Sequence, residues 1–406
     1  MQVVVPEGHV WALLGILAVL AAGGVGCQTV DLPSMAVSPP GRFVPEEDER
    51  RLWNRAREVQ DRIQRSGALY GDPALTEYLN TVARRMAPAF MAQADLSVEV
   101  RILKNPSLNA FTLPNGAIYI HSGLLARMEN EAQLATLLGH EMAHVIHRHP
   151  VRHLRDLENK TGALATFGAL VAPLAGGFGP LLYAVGALGM AAAVTGYAQE
   201  METEADREGL AMMMTAGYDP QEATKLFLYL KEWVQEEKKP EPFFFSSHPR
   251  LAERIESYQA LLGGLPPAPP RSPPPRVGEE EFRARTHGLL LDNAEMDLYA
   301  GRFLQARRSL HAVLARRPRD ARAHYSLAES YRRQGGTEER VEAFWFYQAA
   351  IALDAGFADP HRGLGVLYHQ EGKAAEAARA LERYLELAPE AVDRAHVRSL
   401  LEEVRK

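Results

Sequence analysis

Leu138-Gly139-His140-Glu141-Met142-Ala143-His144 lies inside an apolar run with helical spacing, and the rest of the chain takes its meaning from it. Leu134, Leu137, Leu138, Met142 and Val145 fall on or near one stripe, which predicts a helix from about Asn130 to Arg148. Residues four apart on a helix share a face, so the His140 and His144 imidazoles stand one turn apart and can grip one ion. Glu141 lies on the adjacent edge, where its carboxylate can reach a water on that ion. His-Glu-x-x-His is the zinc-hydrolase spacing: two imidazoles as ligands and a carboxylate as general base. The plain alternative is a surface helix with two solvated histidines. With 14 histidines in 406 residues, this order is hard to reach by chance.

That length predicts two or three domains, and 47% hydrophobic residues suffice for ordinary cores. A net charge of −6 and the absence of any Lys/Arg-rich tract exclude nucleic acid as the main partner. The single cysteine, Cys27, rules out an internal disulfide. Residues 10–26 are apolar, end in small residues and are short for a membrane span, as in a secretory signal. Gly24-Val25-Gly26-Cys27 is similar to a bacterial lipobox, which would make Cys27 a lipidated mature N-terminus. Simple secretion and an uncleaved anchor are the alternatives. Gln28 after the cysteine fits outer-membrane sorting, so the expected location is the periplasm, with a lipid anchor in the outer membrane.

A Pro-rich tether follows over 28–44. The pattern turns helical from Pro45, with Leu52, Ala56, Val59 and Ile63 as a stripe, and Gly71-Asp72-Pro73 breaks it. Residues 97–103 alternate as a strand. Asn109-Ala110-Phe111-Thr112 and Ala117-Ile118-Tyr119-Ile120 flank the turn Pro114-Asn115-Gly116, giving a hairpin just before the His-Glu-x-x-His helix. Such a strand either pairs an extended peptide or is purely structural. No charged residue occurs between Lys160 and Glu200. Residues 161–199 are thus either two buried Gly/Ala-packed helices or a hairpin that touches a membrane or unfolded substrate, and burial is favoured.

Acidic residues then recur from Glu200 to Glu208, and a solvated face is the default. Glu202 and Asp206, however, sit four apart as the two histidines do. A zinc site with two histidines needs a third protein ligand, and a carboxylate is a common one; a second carboxylate one turn on can hold a ligating imidazole. A metzincin pattern fails, because the residue six after His144 is Pro150. Phe243-Phe244-Phe245-Ser246-Ser247-His248-Pro249 carries a histidine that is either a turn residue or a group facing the site. Seven prolines between Leu265 and Val277 mark a stiff linker. Beyond it Gly301, Gly335 and Gly372 recur, as do Ala306, Ala343 and Ala377, at the tetratricopeptide (TPR) period, with a small insertion near 336–340.

Taken together, Gly139-His140-Glu141-Met142-Ala143-His144, Glu202-Thr203-Glu204-Ala205-Asp206, Asn109-Ala110-Phe111, Pro114-Asn115-Gly116 and Ser247-His248-Pro249 resemble the HtpX/Oma-like gluzincin zinc metallopeptidase family. The signal segment and the repeats add a likeness to its periplasmic, beta-barrel assembly-enhancing branch. The resemblance implies a mainly α protein: a zincin-like α+β metallopeptidase domain, helices plus a small sheet, followed by an α-helical TPR solenoid. The expected boundaries are 1–27 for the signal peptide and lipobox, 28–44 tether, 45–262 peptidase, 263–283 linker and 284–406 for about three repeats plus a capping helix. His140, His144 and Glu202 would hold one Zn2+ per chain, with Glu200 and Glu204 as register alternatives for the third ligand. Glu141 would be the general base, Asp206 the carboxylate orienting a ligand, and His248 either a regulatory fourth ligand or an oxyanion stabiliser. The implied activity is a zinc endopeptidase of envelope quality control acting on unfolded or misfolded proteins, including stalled outer-membrane proteins. Its repeats would meet the barrel-assembly machinery. The alternative function is a chaperone or adaptor with a latched or structural zinc site.

Overall fold

The computed structural model describes residues 32–37, 43–89, 91, 98–161, 197–237, 251–265 and 274–406. Cys27 and the signal segment, residues 162–196 of the uncharged tract, the Pro-rich residues 266–273 and His248 lie outside the described residues. The fold is mainly helical with one small sheet, followed by a run of consecutive helix pairs.

Helix α1 (Glu47–Arg65) carries the expected stripe, and Leu52, Ala56, Val59 and Ile63 are buried. Helix α1 already ends at Arg65, before the expected break at Gly71-Asp72-Pro73, and helix α2 (Pro73–Met86) starts there: Asp72 accepts from the Leu75 amide at 2.9 Å, and Pro73 occupies a position that needs no donor. Strands β1 (Glu99–Leu103), β2 (Ala110–Thr112) and β3 (Ala117–His121) form a sheet of order β1-β3-β2. β3 runs parallel to β1 and antiparallel to β2. Gly116, at φ 91°, closes the β2–β3 turn in a conformation that only glycine adopts easily. Among the described residues β1 and β2 are the two edges of this sheet.

After the short helix α3 (Ser122–Leu125) comes the His-Glu-x-x-His helix, α4 (Glu131–Ile146). Asn130 caps it, accepting from the Gln133 amide at 2.9 Å. The apolar stripe predicted for this helix understates its burial, since all sixteen of its residues are buried. α4 is surrounded: α2, β2, α5 (His149–Thr161), α6 (Gln199–Thr215) and α7 (Gln221–Glu237) pack around it. Helix α8 (Leu251–Gly263) packs on α6 and α7. Polar residues on α4 are therefore satisfied internally, as where Gln133 Nε2 donates to Glu222 Oε2 at 3.1 Å.

The α4–α6 contact is a backbone contact. A Cβ on Gly139 would lie 2.7 Å from the Gly209 carbonyl oxygen, and one on Gly209 would lie 2.6 Å from the His140 amide nitrogen. Two glycines let the helices approach closely enough for α6 side chains to reach those of α4 one or two turns along. The N-terminal end of α4 is pinned by Glu131, which is fully buried. It accepts from Arg85, Arg276 and the hydroxyls of Tyr78 and Tyr218 at 2.6–2.7 Å. At the other end Ser34 Oγ donates to the Ile146 carbonyl, and Met35 packs with Trp53, Val145 and Ile146. The stretch predicted as a free tether is thus fastened where it carries a buried methionine.

The linker also returns to the peptidase half. Arg276 exchanges backbone hydrogen bonds with Gly217 and Asp219, and Val277 accepts from the Ala132 amide. Helix α9 (Glu279–Tyr299) then belongs to two cores: Phe282 and Leu289 pack with the peptidase half, Leu291 and Ala294 with the repeats. Arg127 and Asp297, both buried, pair at 2.9 Å across that junction. The pairs α9 with α10 (Phe303–Arg316), α11 (Ala321–Gln334) with α12 (Thr337–Leu353), and α13 (Asp359–Gln370) with α14 (Ala374–Leu387) follow, then α15 (Arg394–Val404). The repeated glycines Gly301, Gly335 and Gly372 end the first helix of each pair at φ 71–77°. Ala306, Ala343 and Ala377 are fully buried in the second helix.

Candidate metal centre

The Gly139–Gly209 crossing brings Glu202 of α6 over His140 and His144. The two Nε2 atoms lie 3.0 Å apart, and the Glu202 carboxylate oxygens stand 3.5 Å from each. All three side chains are buried. A tetrahedral zinc bound at roughly 2.0–2.1 Å by nitrogen and oxygen sets its ligand atoms roughly 3.3–3.4 Å apart. The Nε2–Nε2 distance and the approach of a Glu202 oxygen to each nitrogen, Oε2 to His140 and Oε1 to His144, lie within a few tenths of an ångström of that spacing, and two imidazoles with one carboxylate are a zinc donor set. The residues present therefore fit the ion. Glu202 and Asp206 depart from the solvated face that an acidic run suggests; both are buried, because α6 lies against α4.

Asp206 Oδ1 lies 3.0 Å from His140 Nδ1, the nitrogen that points away from the triangle. Asp206 is held in turn by buried Arg254 of α8, whose Nη2 donates to Oδ1 at 2.6 Å and whose guanidinium lies over the Phe227 ring at 4.3 Å. Burial works against the Arg254 charge, but Asp206, Tyr258 and Glu202 outweigh it and hold the guanidinium above its ordinary range. His144 has different supports. Its Nδ1 lies 2.8 Å from Nδ1 of buried His149, and the Tyr197 ring stacks on it at 4.2 Å. Burial, then the charges of Glu141 and Glu202, push the Tyr197 phenol up. Glu141, beside the triangle, accepts from Thr112 Oγ1 of β2 at 2.6 Å.

Of the three neighbouring glutamates, the fold brings Glu202 to the two histidines. Glu200 is exposed, and Glu204 turns to the start of α5, within 3.1 Å of His147, His149 and Arg152. The structure thus gathers His140, Glu141, His144, Glu202 and Asp206 in one place. Thr112, His149, Tyr197 and Arg254 were not foreseen as members of this site. His149 left one trace in the sequence, a crowd of histidines at 144, 147, 149 and 153. Arg254 left none. Burial also holds His149 below its ordinary range, against the pull of Glu204.

A His-Glu-x-x-His helix with a buried carboxylate on the crossing helix defines a metallopeptidase-type domain. Residues 73–262 match peptidase family M48, so this part of the chain is an M48-type peptidase domain, similar to those of the beta-barrel assembly-enhancing proteases. The Beta-barrel assembly-enhancing protease of Escherichia coli K12 is 26% identical over 369 residues, covering 79% of this chain and 70% of that protein. The Mitochondrial metalloendopeptidase OMA1 of Schizosaccharomyces pombe is 29% identical over 253 residues, covering 60% and 70%. Among solved structures, MamA from Desulfovibrio magneticus RS-1 aligns with 46% of this chain and 88% of its own at 17% identity, with a TM-score of 0.24, too low to carry weight.

Proposed function

We propose that this chain is a zinc-dependent endopeptidase of the bacterial cell envelope that removes misfolded or stalled outer-membrane proteins. The observation that carries the chemistry is the buried triangle of His140, His144 and Glu202 with Glu141 at its edge. His140, His144 and Glu202 would hold one Zn2+, which when bound would supply an acidified water and polarise the scissile carbonyl. Glu141 takes the proton of the attacking water on its carboxylate and passes it to the leaving amine nitrogen. Thr112 fixes one oxygen of that carboxylate, so the other is presented in a single orientation. Asp206 accepts from His140 Nδ1–H and leaves Nε2 bare for the ion. His248, carried over from the resemblance, would cap the ion or steady the oxyanion. The edge strand β2 offers its free backbone groups to an extended peptide beside Glu141.

The substrate class and setting follow from the relatives' names and the N-terminal sequence. Cys27 carries a lipid that keeps the protein at the outer membrane, facing the periplasm, and the repeats receive the barrel-assembly machinery. Among the described residues no helix is long and apolar enough to cross a membrane. Residues 161–199 are the second candidate for membrane or substrate contact, with burial the favoured alternative.

The test is cleavage of an unfolded model protein by the chain lacking residues 1–27, with Glu141→Gln beside it. Wild type should cleave, a zinc chelator should stop it, and added Zn2+ should restore it. Glu141→Gln should lose activity by about 10²–10⁴-fold while still binding zinc and melting as wild type does. Equal cleavage by both proteins would refute the role of Glu141. Zinc binding without cleavage by wild type would favour the chaperone or adaptor alternative.

A further inference from the structure

The two ligand histidines are held by different devices. Behind His140 stands a carboxylate, Asp206. Behind His144 stands a second histidine, and behind that a carboxylate. His144 Nε2 faces His140 and Glu202, so its Nδ1 must carry the proton whenever Nε2 binds a cation. That Nδ1 lies 2.8 Å from Nδ1 of His149, a contact in which only one nitrogen can hold the hydrogen. The other nitrogen of His149, Nε2, lies 3.0 Å from Glu204 Oε2. A carboxylate only accepts, so Nε2 carries the proton of neutral His149 and its Nδ1 is bare. The acceptor that His144 requires is thus created by Glu204, two side chains away. Glu204 is fixed in turn by Arg152 at 3.1 Å and by His147 Nδ1 at 3.1 Å.

The backbone shows how this contact is reached. Five residues on along an unbroken helix, a side chain points about 140° away from the first. The chain instead turns at Arg148, the one described non-glycine residue with positive φ, at 56°. Arg148 is buried and donates to Glu49 at 2.7 and 3.1 Å. That anchor holds a conformation that is uncommon for a residue with a Cβ, and α5 restarts with His149 turned back onto His144.

We infer that His149, oriented by Glu204, is a positioning residue that fixes the tautomer and rotamer of His144 and thereby sets the affinity of the site for a divalent cation. This rests on the reading of His140, His144 and Glu202 as metal ligands. Two substitutions separate the roles of its two nitrogens. His149→Asn places an amide oxygen where Nδ1 stands and keeps the acceptor for His144. His149→Gln reaches Glu204 but offers His144 nothing.

The experiment measures Zn2+ affinity of the full chain by competition with a chromophoric chelator, and the visible spectrum of the Co2+ form as a second readout. Wild type should bind one zinc and His140→Ala none; failure there would sink the metal reading itself and not this inference. His149→Gln should bind roughly 10–100-fold more weakly, the usual cost of losing a group that orients a ligand, with an altered Co2+ spectrum. His149→Asn should stay within about threefold of wild type with the wild-type spectrum. Glu204→Ala, which touches neither the ion nor His144, should show an intermediate loss. The inference is overturned if His149→Gln binds as tightly as wild type, if His149→Asn is weakened as much as His149→Gln, or if Glu204→Ala leaves affinity unchanged.

Discussion

In the peptidase half, buried charges join elements that are far apart in sequence: Glu131 with Arg85 and Arg276, Glu49 with Arg148, Asp206 with Arg254. In the repeats the corresponding buried carboxylate, Glu329, pairs with Arg332 and Arg333 on its own helix and with the hydroxyl of Tyr347 on the next. The apolar interior there is mostly alanine, leucine and aromatic rings, with Tyr331 stacked on Phe346 at 5.7 Å and Tyr368 beside Phe344 at 5.0 Å. The difference is functional. A repeat needs only its neighbours, and its stability is close to a sum of local terms. A metal site assembled from two helices needs both held against one another to within a few tenths of an ångström, and long-range ion pairs that cannot slide do this. Helix α9 contributes residues to both cores and joins the two halves.

Arg254→Ala tests the peptidase side of this contrast most severely. It leaves Asp206 buried without its cation, and removing one partner of such a pair costs about 3–5 kcal/mol. Denaturant melts should show that loss, together with weaker zinc binding. A variant as stable as wild type would mean that Asp206 has another means of support. Leu327→Ala, in the repeat core, should cost about 2–5 kcal/mol. Cleavage of a short peptide should nevertheless be unchanged below the melting temperature. A fall in peptide cleavage would show that α9 couples the halves more tightly than a junction.

Acid should divide the halves as well. Burial holds His121 of β3 down at about 4, against an ordinary value of about 6.5 in the unfolded chain. Its contribution is therefore complete above about pH 6.5 and is lost as pH falls towards 4. Glu329 is also shifted down, but by its partners and against its burial. Burial raises its carboxyl, but the hydrogen bonds and charges of Arg332 and Arg333 and the Tyr347 hydroxyl prevail and hold it at about 2. Its contribution lasts until pH falls below the ordinary carboxylate value of about 4.3 and fades towards 2. His121→Asn should flatten the stability profile between about pH 6.5 and 4; an unchanged slope would remove His121 from the account. The smallest effect is reserved for Thr112→Ala. Losing its hydrogen bond to Glu141 should lower kcat by roughly 3–10-fold with little change in KM, equivalent to about 1 kcal/mol. A change confined to KM would make Thr112 a substrate contact.

Sequence alone carried the repeating parts of this protein. Two histidines four apart on a helix share a face whatever surrounds them, and so do Glu202 and Asp206. Gly301, Gly335 and Gly372 recur because each must end a helix with positive φ. These are local requirements, and local requirements leave a period. What only the tertiary structure decided is which groups meet across the chain. Glu202 and not Glu200 or Glu204 joins the histidines because Gly139 and Gly209 let two backbones touch at one register. Arg254 reaches Asp206 from a helix some fifty residues on, and Thr112 reaches Glu141 from the sheet edge. His149 returns to His144 through a left-handed turn at an arginine, where helical spacing would have sent it elsewhere. None of these contacts has a period, since each is fixed by the packing of whole elements, and packing is not written in the spacing of residues along one of them.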